Sequence, residues 1–178
     1  MPRLSPATAS TTDPDQLQAR SELKQAWGAV PNLGEVVALS LPLTRALIAY
    51  DQHLAQGSLD GALCEQLAVA VANENRCAYC LAAHTAGAIA TGVSPQDAAD
   101  ARTARASDPT AQAALVFAQH VVRERGHVTD EQLAAVRGAG YSDGQIVEIV
   151  GLAIATTLTN YLHHLSRVPV EFTAVEFA

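Results

Sequence analysis

Apolar residues recur along this chain at intervals of three and four, and strict alternation over four to eight positions is absent. The pattern predicts an all-α fold of about seven to nine helices. Residues 1–12 are rich in Ser, Thr, Pro and Ala and predict a mobile segment, with one helical domain over residues 13–178. Asp13-Pro14 supplies an N-cap and a first-turn proline for a helix to about Trp27. Gly28–Gly34 reads as a loop, and Glu35–Leu41 as one or two helical turns. Pro42 opens a helix that stops at Gly57, with Leu43, Ala46, Leu47, Tyr50 and Leu54 on one face.

The next helix starts near Ser58 or Asp60. Its centre, LAVAVA, is apolar all round and should be buried. Asn73–Arg76 is polar and breaks it, which makes Asn75 the expected N-cap of a helix from about Cys77 to Gly92. Ser94-Pro95 starts a helix to about Arg105, and Asp108-Pro109 another to about Arg125. Thr129 with Gln132 forms a capping-box pattern for a short helix to Arg137. Ser142 or Asp143 opens the longest helix, QIVEIVGLAIATTLTNYLHHL, and Pro169 closes the helical reading. The remaining EFTAVEFA reads as a tail or a subunit contact.

Composition adds one expectation. The chain is 49% apolar but only 16% charged, against roughly 25% in ordinary soluble domains. So little charge covers a monomer poorly, which points to a homo-oligomer (dimer, trimer or hexamer) with helical faces buried between subunits. The net charge of −7 and the scattered basic residues exclude a nucleic-acid-binding face. No apolar run of about 18 residues is free of polar interruption, so no membrane span is expected. The N-terminal residues show no apolar core of a secretion signal. The three cysteines, Cys64, Cys77 and Cys80, are an odd number with two in a C-x-x-C pair, which fits a redox pair or a metal site in a reducing, cytoplasmic setting.

The candidate chemistry lies in Glu65–His84, inside a core motif spanning residues 58–92. On a helix, Cys77, Cys80 and His84 would fall within an arc of about 60°. A thiol ionises more easily at a helix N-terminus, beside an imidazolium or in C-x-x-C. Glu65 sits on an apolar helix, where a carboxylate is rare unless paired. The helix dipole favours Cys77 as the attacking thiol. Zinc would need a fourth ligand beside Cys77, Cys80 and His84, from Glu65, His163 or His164, and the usual second knuckle is missing, so neither metal nor cofactor is expected. Cys64 reads as a core residue and Tyr79 as packing. His53, His120 and His127 read as solvated, and His163 and His164 as capping the dipole of the last helix. DGALCEQLAVAVA from Asp60 echoes DGQIVEIVGLAIA from Asp143, which suggests a duplicated two-helix unit. That alignment sets Cys77 against Asn160 and Cys80 against His163.

Glu65-x₁₁-Cys77-x₂-Cys80-x₃-His84 resembles the AhpD-like (alkylhydroperoxidase D, carboxymuconolactone decarboxylase) superfamily. AYC within the C-x-x-C, AAHTAGA, Gly92-Val93-Ser94, LVFAQHV and GYSDGQIVEIV carry the resemblance over residues 30–168, and most closely to its peroxidase-related subgroup. It implies an all-α fold assembling as trimers or hexamers, and a thiol peroxidase whose C-x-x-C cycles between dithiol and disulfide. It implies Cys80 as peroxidatic, Cys77 as resolving, and His84 with Glu65 as a proton relay. AhpD itself has a histidine inside the motif where this chain has Tyr79. The substrate implied is an organic hydroperoxide, and the reductant a lipoyl-bearing or thioredoxin-like protein. Two alternatives on the same fold are a carboxymuconolactone-decarboxylase-type lyase and a non-enzymatic redox-sensing module.

Overall fold

Nine α-helices and one 3₁₀ turn make up residues 2–178, the part of the chain that this computed structural model describes, and no strand occurs among them. They are α1 (Pro14–Trp27), α2 (Asn32–Val37), α3 (Leu41–Leu54), α4 (Gly61–Glu74), α5 (Ala78–Ala90), α6 (Pro95–Asp100), the 3₁₀ turn Ala101–Thr103, α7 (Pro109–Arg123), α8 (Asp130–Gly138) and α9 (Asp143–Ser166).

The run read as apolar all round is the centre of the molecule. Leu67 to Asn73 of α4 are all buried, and α4 packs against α5, α7 and α9. The caps follow the sequence closely. Asp13, Ser94 and Asp108 each accept backbone N–H bonds ahead of a proline, and Thr129–Gln132 and Ser142–Gln145 form capping boxes.

Several boundaries differ from the expectation, each for a local reason. α2 begins at Asn32, three residues early, because Glu171 accepts its backbone N–H at 2.8 Å. A cap from a residue so distant in sequence leaves no trace in the local pattern. Ser40 caps α3 through the Leu43 N–H at 3.3 Å. Asn75 closes α4 instead of opening α5. Cys77 itself is the N-cap of α5, in extended conformation (φ −94°, ψ 98°). Between them Arg76 adopts a left-handed φ of 56°, and the Cys77 N–H returns to the Ala72 carbonyl at 2.9 Å. The helix expected to reach Arg105 ends at Asp100 and tightens into the 3₁₀ turn, stopped by Ala104 at φ 53°.

Both terminal segments are held against the domain. Ala7 is buried, its N–H bonds the Glu35 carbonyl at 2.9 Å, and its carbonyl takes the Arg20 guanidinium. Within residues 1–12, expected to be mobile, the Arg3 N–H likewise bonds the Ser166 carbonyl at 2.7 Å; Met1 lies outside the described residues. The stretch after α9 folds back on its own chain. Asn32 donates to the Pro169 carbonyl, Arg102 to that of Glu176, and the Ala178 N–H to the Asn73 side chain. By length and composition α9 could cross a membrane (mean hydropathy 1.3), yet its inner face packs on α2, α3, α4, α5, α7 and α8.

Candidate active site

Cys77, Cys80, His84 and Glu65 are brought together where α4, α5 and α9 meet. Because Cys77 precedes the helix, it does not share a stripe with Cys80 as the helical reading had it. Its side chain curls over the first turn of α5 and accepts the Cys80 backbone N–H at 3.4 Å. That places Cys77 Sγ 2.9 Å from Cys80 Sγ, both thiols free and buried. A shift of under about 1 Å separates this contact from a disulfide.

The two sulfurs have unequal proton affinities. The Cys77 S–H donates to Cys80, and that bond raises the Cys77 thiol, with burial adding to it. The same bond lowers Cys80 below the ordinary thiol range, against burial and with help from the charge of His84 and from the side chains of Asn160 and Thr159. Cys80 is therefore the more acidic thiol of the pair.

His84 Nδ1 lies 2.9 Å from Glu65 Oε2, with both side chains about one-third exposed. Burial works against an imidazolium here, but the bond and charge of Glu65 outweigh it, and His84 holds its proton more tightly than usual. Glu65 is thus a paired carboxylate rather than a surface one.

α9 contributes more than the sequence suggested. Asn75 Nδ2 donates to Thr157 Oγ1 at 3.1 Å and to Asn160 Oδ1 at 2.9 Å. This fixes the Asn160 amide with Nδ2 turned away from Asn75, fully buried and without an oxygen or nitrogen partner. Thr159 Oγ1 is 4.0 Å from Cys80 Sγ. His163, read as a dipole cap, points Nδ1 at Cys77 Sγ across 3.6 Å. The echo between α4 and α9, which set Asn160 and His163 against the two cysteines, was the available signal for these two residues. His164 binds the Arg76 carbonyl at 3.3 Å, and Cys64 is only half buried, its thiol pushed up to about 11 by burial and neighbouring carboxylates.

A cavity of about 370 Å³ opens onto Cys80 but not Cys77. Trp27, Leu33, Tyr79, Leu152 and Phe172 make it largely apolar, and Glu65 and His84 line one wall. Tyr79 serves as wall and strut. Its hydroxyl donates to Glu171 at 2.8 Å and accepts the Leu33 N–H at 3.2 Å, and Phe172 meets its ring edge-on. Asp51, which the sequence reading passed over, also lines the cavity. Burial pushes its carboxyl up, with Trp27 and the charge of His84 pulling the other way. A larger groove of about 580 Å³ lies among the caps of α4, α6 and α7 and holds no thiol or histidine.

Residues 42–124 match the Carboxymuconolactone decarboxylase family. No curated protein matches the sequence. Among solved structures, the chain is similar to a peroxidase-related protein with an alkylhydroperoxidase AhpD core from Ralstonia eutropha JMP134, at 24% identity and TM-score 0.82 over 96% of this chain and 92% of that one. A peroxidase-related protein from Silicibacter sp. TM1040 is 21% identical, with TM-score 0.75 over 98% and 94%. The debrominase Bmp8, solved with 2,3,4-tribromopyrrole, is 18% identical, with TM-score 0.77 over 95% and 91%.

Proposed function

We propose that this chain, whose residues 42–124 belong to the carboxymuconolactone decarboxylase family and whose fold is that of the AhpD-like peroxidase-related proteins, is a thiol-dependent peroxidase that reduces organic hydroperoxides. The observation that carries the reading is the Cys77–Cys80 contact of 2.9 Å with only Cys80 open to the cavity. The Cys80 thiolate attacks the outer peroxide oxygen and becomes a sulfenic acid, and the alkoxide leaves. His84, kept protonated by Glu65, supplies the proton for that alkoxide. Cys77 then attacks the sulfenic sulfur, and water leaves as the disulfide forms. The apolar walls favour an organic hydroperoxide over hydrogen peroxide, because burying the organic part stabilises the complex by about 25 cal/mol per Å².

Turnover needs a dithiol reductant, and a lipoyl-bearing or thioredoxin-like partner has that chemistry. A pair that must return to its reduced state suits the cytoplasm. The exposed apolar face of α9 supports a homo-oligomer. A lyase on this fold has no use for two ionisable sulfurs in contact. A second reading, reductive removal of halogen from a small aromatic ring, is favoured by the Trp27, Tyr79 and Phe172 walls and would oxidise the same pair, releasing hydrogen halide.

The test is mass spectrometry of the reduced protein after one equivalent of cumene hydroperoxide, with residual peroxide assayed alongside and 2,3,4-tribromopyrrole as a parallel substrate. Fast loss of peroxide with a Cys77–Cys80 disulfide is expected. Thiols that stay reduced would remove the peroxidase reading, and slow oxidation that changes only the assembly state would replace it with redox sensing.

A further inference from the structure

Each of the two sulfurs has its own imidazole. His84 lines the cavity wall beside Cys80, held by Glu65. His163 lies on the opposite side, with Nδ1 3.6 Å from Cys77 Sγ and Nε2 3.2 Å from the Val168 carbonyl. A carbonyl only accepts, so Nε2 carries the hydrogen and Nδ1 presents a lone pair to Cys77. The ring is seated by Tyr79, whose centroid is 5.2 Å away at a tilt of 35°. His163 does not line the substrate cavity, so it faces the resolving thiol alone.

From this geometry we infer that His163 is the base that deprotonates Cys77 when the sulfenic acid on Cys80 is resolved. The inference rests on the peroxidase reading above. In the reduced pair the Cys77 proton is shared with Cys80. Once Cys80 carries oxygen, that thiolate acceptor is gone, and Cys77 is left as a thiol that burial alone still holds above its ordinary range. A neutral thiol is a poor nucleophile. His163 Nδ1 takes the proton, and the Cys77 sulfur forms a bond to the Cys80 sulfur as the S–O bond breaks. The Cys77 sulfur is oxidised and the sulfenic sulfur reduced. The departing hydroxide takes a proton from His84, which has regained one from water through the open cavity after the first step, and leaves as water; His163 returns its proton to solvent. His163 is suited to the task because burial lowers its own proton affinity, leaving it neutral at pH 7. The groups facing it are Cys77, the N-cap of α5, Tyr79 from α5, His164 from α9 and Glu171 from the C-terminal segment. The burial and His164 lower its proton affinity; the Val168 carbonyl and Glu171 oppose them.

The experiment separates the two chemical steps. Reduced protein is mixed with one equivalent of cumene hydroperoxide and quenched over time into dimedone, which traps sulfenic acid, and the products are counted by mass spectrometry. His163→Gln keeps a donor for the Val168 carbonyl and removes the base. Peroxide loss should stay within about twofold of wild type, while disulfide formation slows about 100-fold or more and Cys80 sulfenic acid accumulates. Disulfide formation in the variant should rise about tenfold per pH unit from pH 7 to 9, as hydroxide replaces the missing base, and stay flat in wild type. Disulfide formation at the wild-type rate in the variant would overturn the assignment, as would equal slowing of both steps. A tenfold rise per pH unit in wild-type protein overturns it independently of how the variant folds. Wild-type protein that leaves peroxide untouched marks failure of the peroxidase reading itself.

Discussion

A Cβ placed on Gly87 would stand 2.5 Å from Glu65 Oε2 and 2.8 Å from its Cδ. The carboxylate that holds His84 fits between α4 and α5 only because α5 carries no side chain one turn after the histidine. Gly87→Ala therefore sets two effects against each other. Alanine favours the helix by about 1 kcal/mol, whereas Glu65 must swing away from His84. We expect kcat/KM for an organic hydroperoxide to fall at least about tenfold, and Glu65→Gln to match it, since placed acid–base groups contribute about 100-fold or more. The melting temperature should move by no more than about 4 °C. Steady-state kinetics with a thermal melt checks this, and full activity in Gly87→Ala would show that the Glu65–His84 contact is not used.

The cysteines should separate by role. Cys80→Ser should abolish peroxide loss, because the nucleophile is gone. Cys77→Ser should consume one equivalent and stop, leaving a sulfenic acid that dimedone traps. Cys64→Ser should turn over normally, since that thiol ionises only near pH 11 and lies off the cavity. Multiple turnovers with a dithiol reductant in Cys77→Ser would show that disulfide formation within the motif is dispensable.

Most helices were legible in the sequence because their caps are local. Asp13-Pro14, Ser94-Pro95, Asp108-Pro109 and the two capping boxes each satisfy backbone donors within a few residues. The start of α2 was not, because its cap comes from Glu171. The site divided in the same way. The meeting of Glu65, Cys80 and His84 was legible because a carboxylate on an otherwise apolar helix and a helix-spaced thiol–imidazole pair are unusual in themselves. Cys77 was found but misplaced, since the left-handed turn at Arg76 falls on a residue type that does not announce it. Asn160 and His163 depend on how α9 crosses α5, which no local pattern specifies.

Asn160 should set the acidity of Cys80. Its Nδ2 is buried, turned away from Asn75 by the bond at Oδ1 and without an oxygen or nitrogen partner, and the Asn160 side chain favours the Cys80 thiolate. A donor beside a thiolate favours the ionised form, so removing it should raise the Cys80 pKa. Hydrogen bonds to charged groups contribute about 1.5–3 kcal/mol, and about 1.4 kcal/mol corresponds to one pKa unit. Asn160→Leu should therefore shift Cys80 alkylation about one to two units to the alkaline side. Peroxide loss should slow about tenfold or more at pH 7 and recover by pH 9. An unmoved alkylation profile would mean that Cys77 and His84 alone set the acidity.

The outer face of α9 should join copies of the chain. Val147, Ile154, Leu158, Tyr161 and Leu165 are exposed at intervals of seven, four, three and four, while Gly151 faces Tyr50 of α3. That is the spacing of an apolar seam between paired helices, and it continues past the inward-facing Thr156 and Asn160 without touching the thiols. Val147 is 70% and Tyr161 60% exposed, a costly arrangement for a chain with so few charges. A second copy laid along this stripe would cover it. Sedimentation at micromolar concentration should show a dimer or larger species for wild type and a monomer for Ile154→Glu with Val147→Glu. Peroxide loss per thiol pair should be unchanged in that variant, because the stripe and the site lie on opposite sides of one helix. A monomeric wild type would leave the stripe without this partner, and a variant that loses both assembly and peroxide reactivity would show that the site needs the neighbouring subunit.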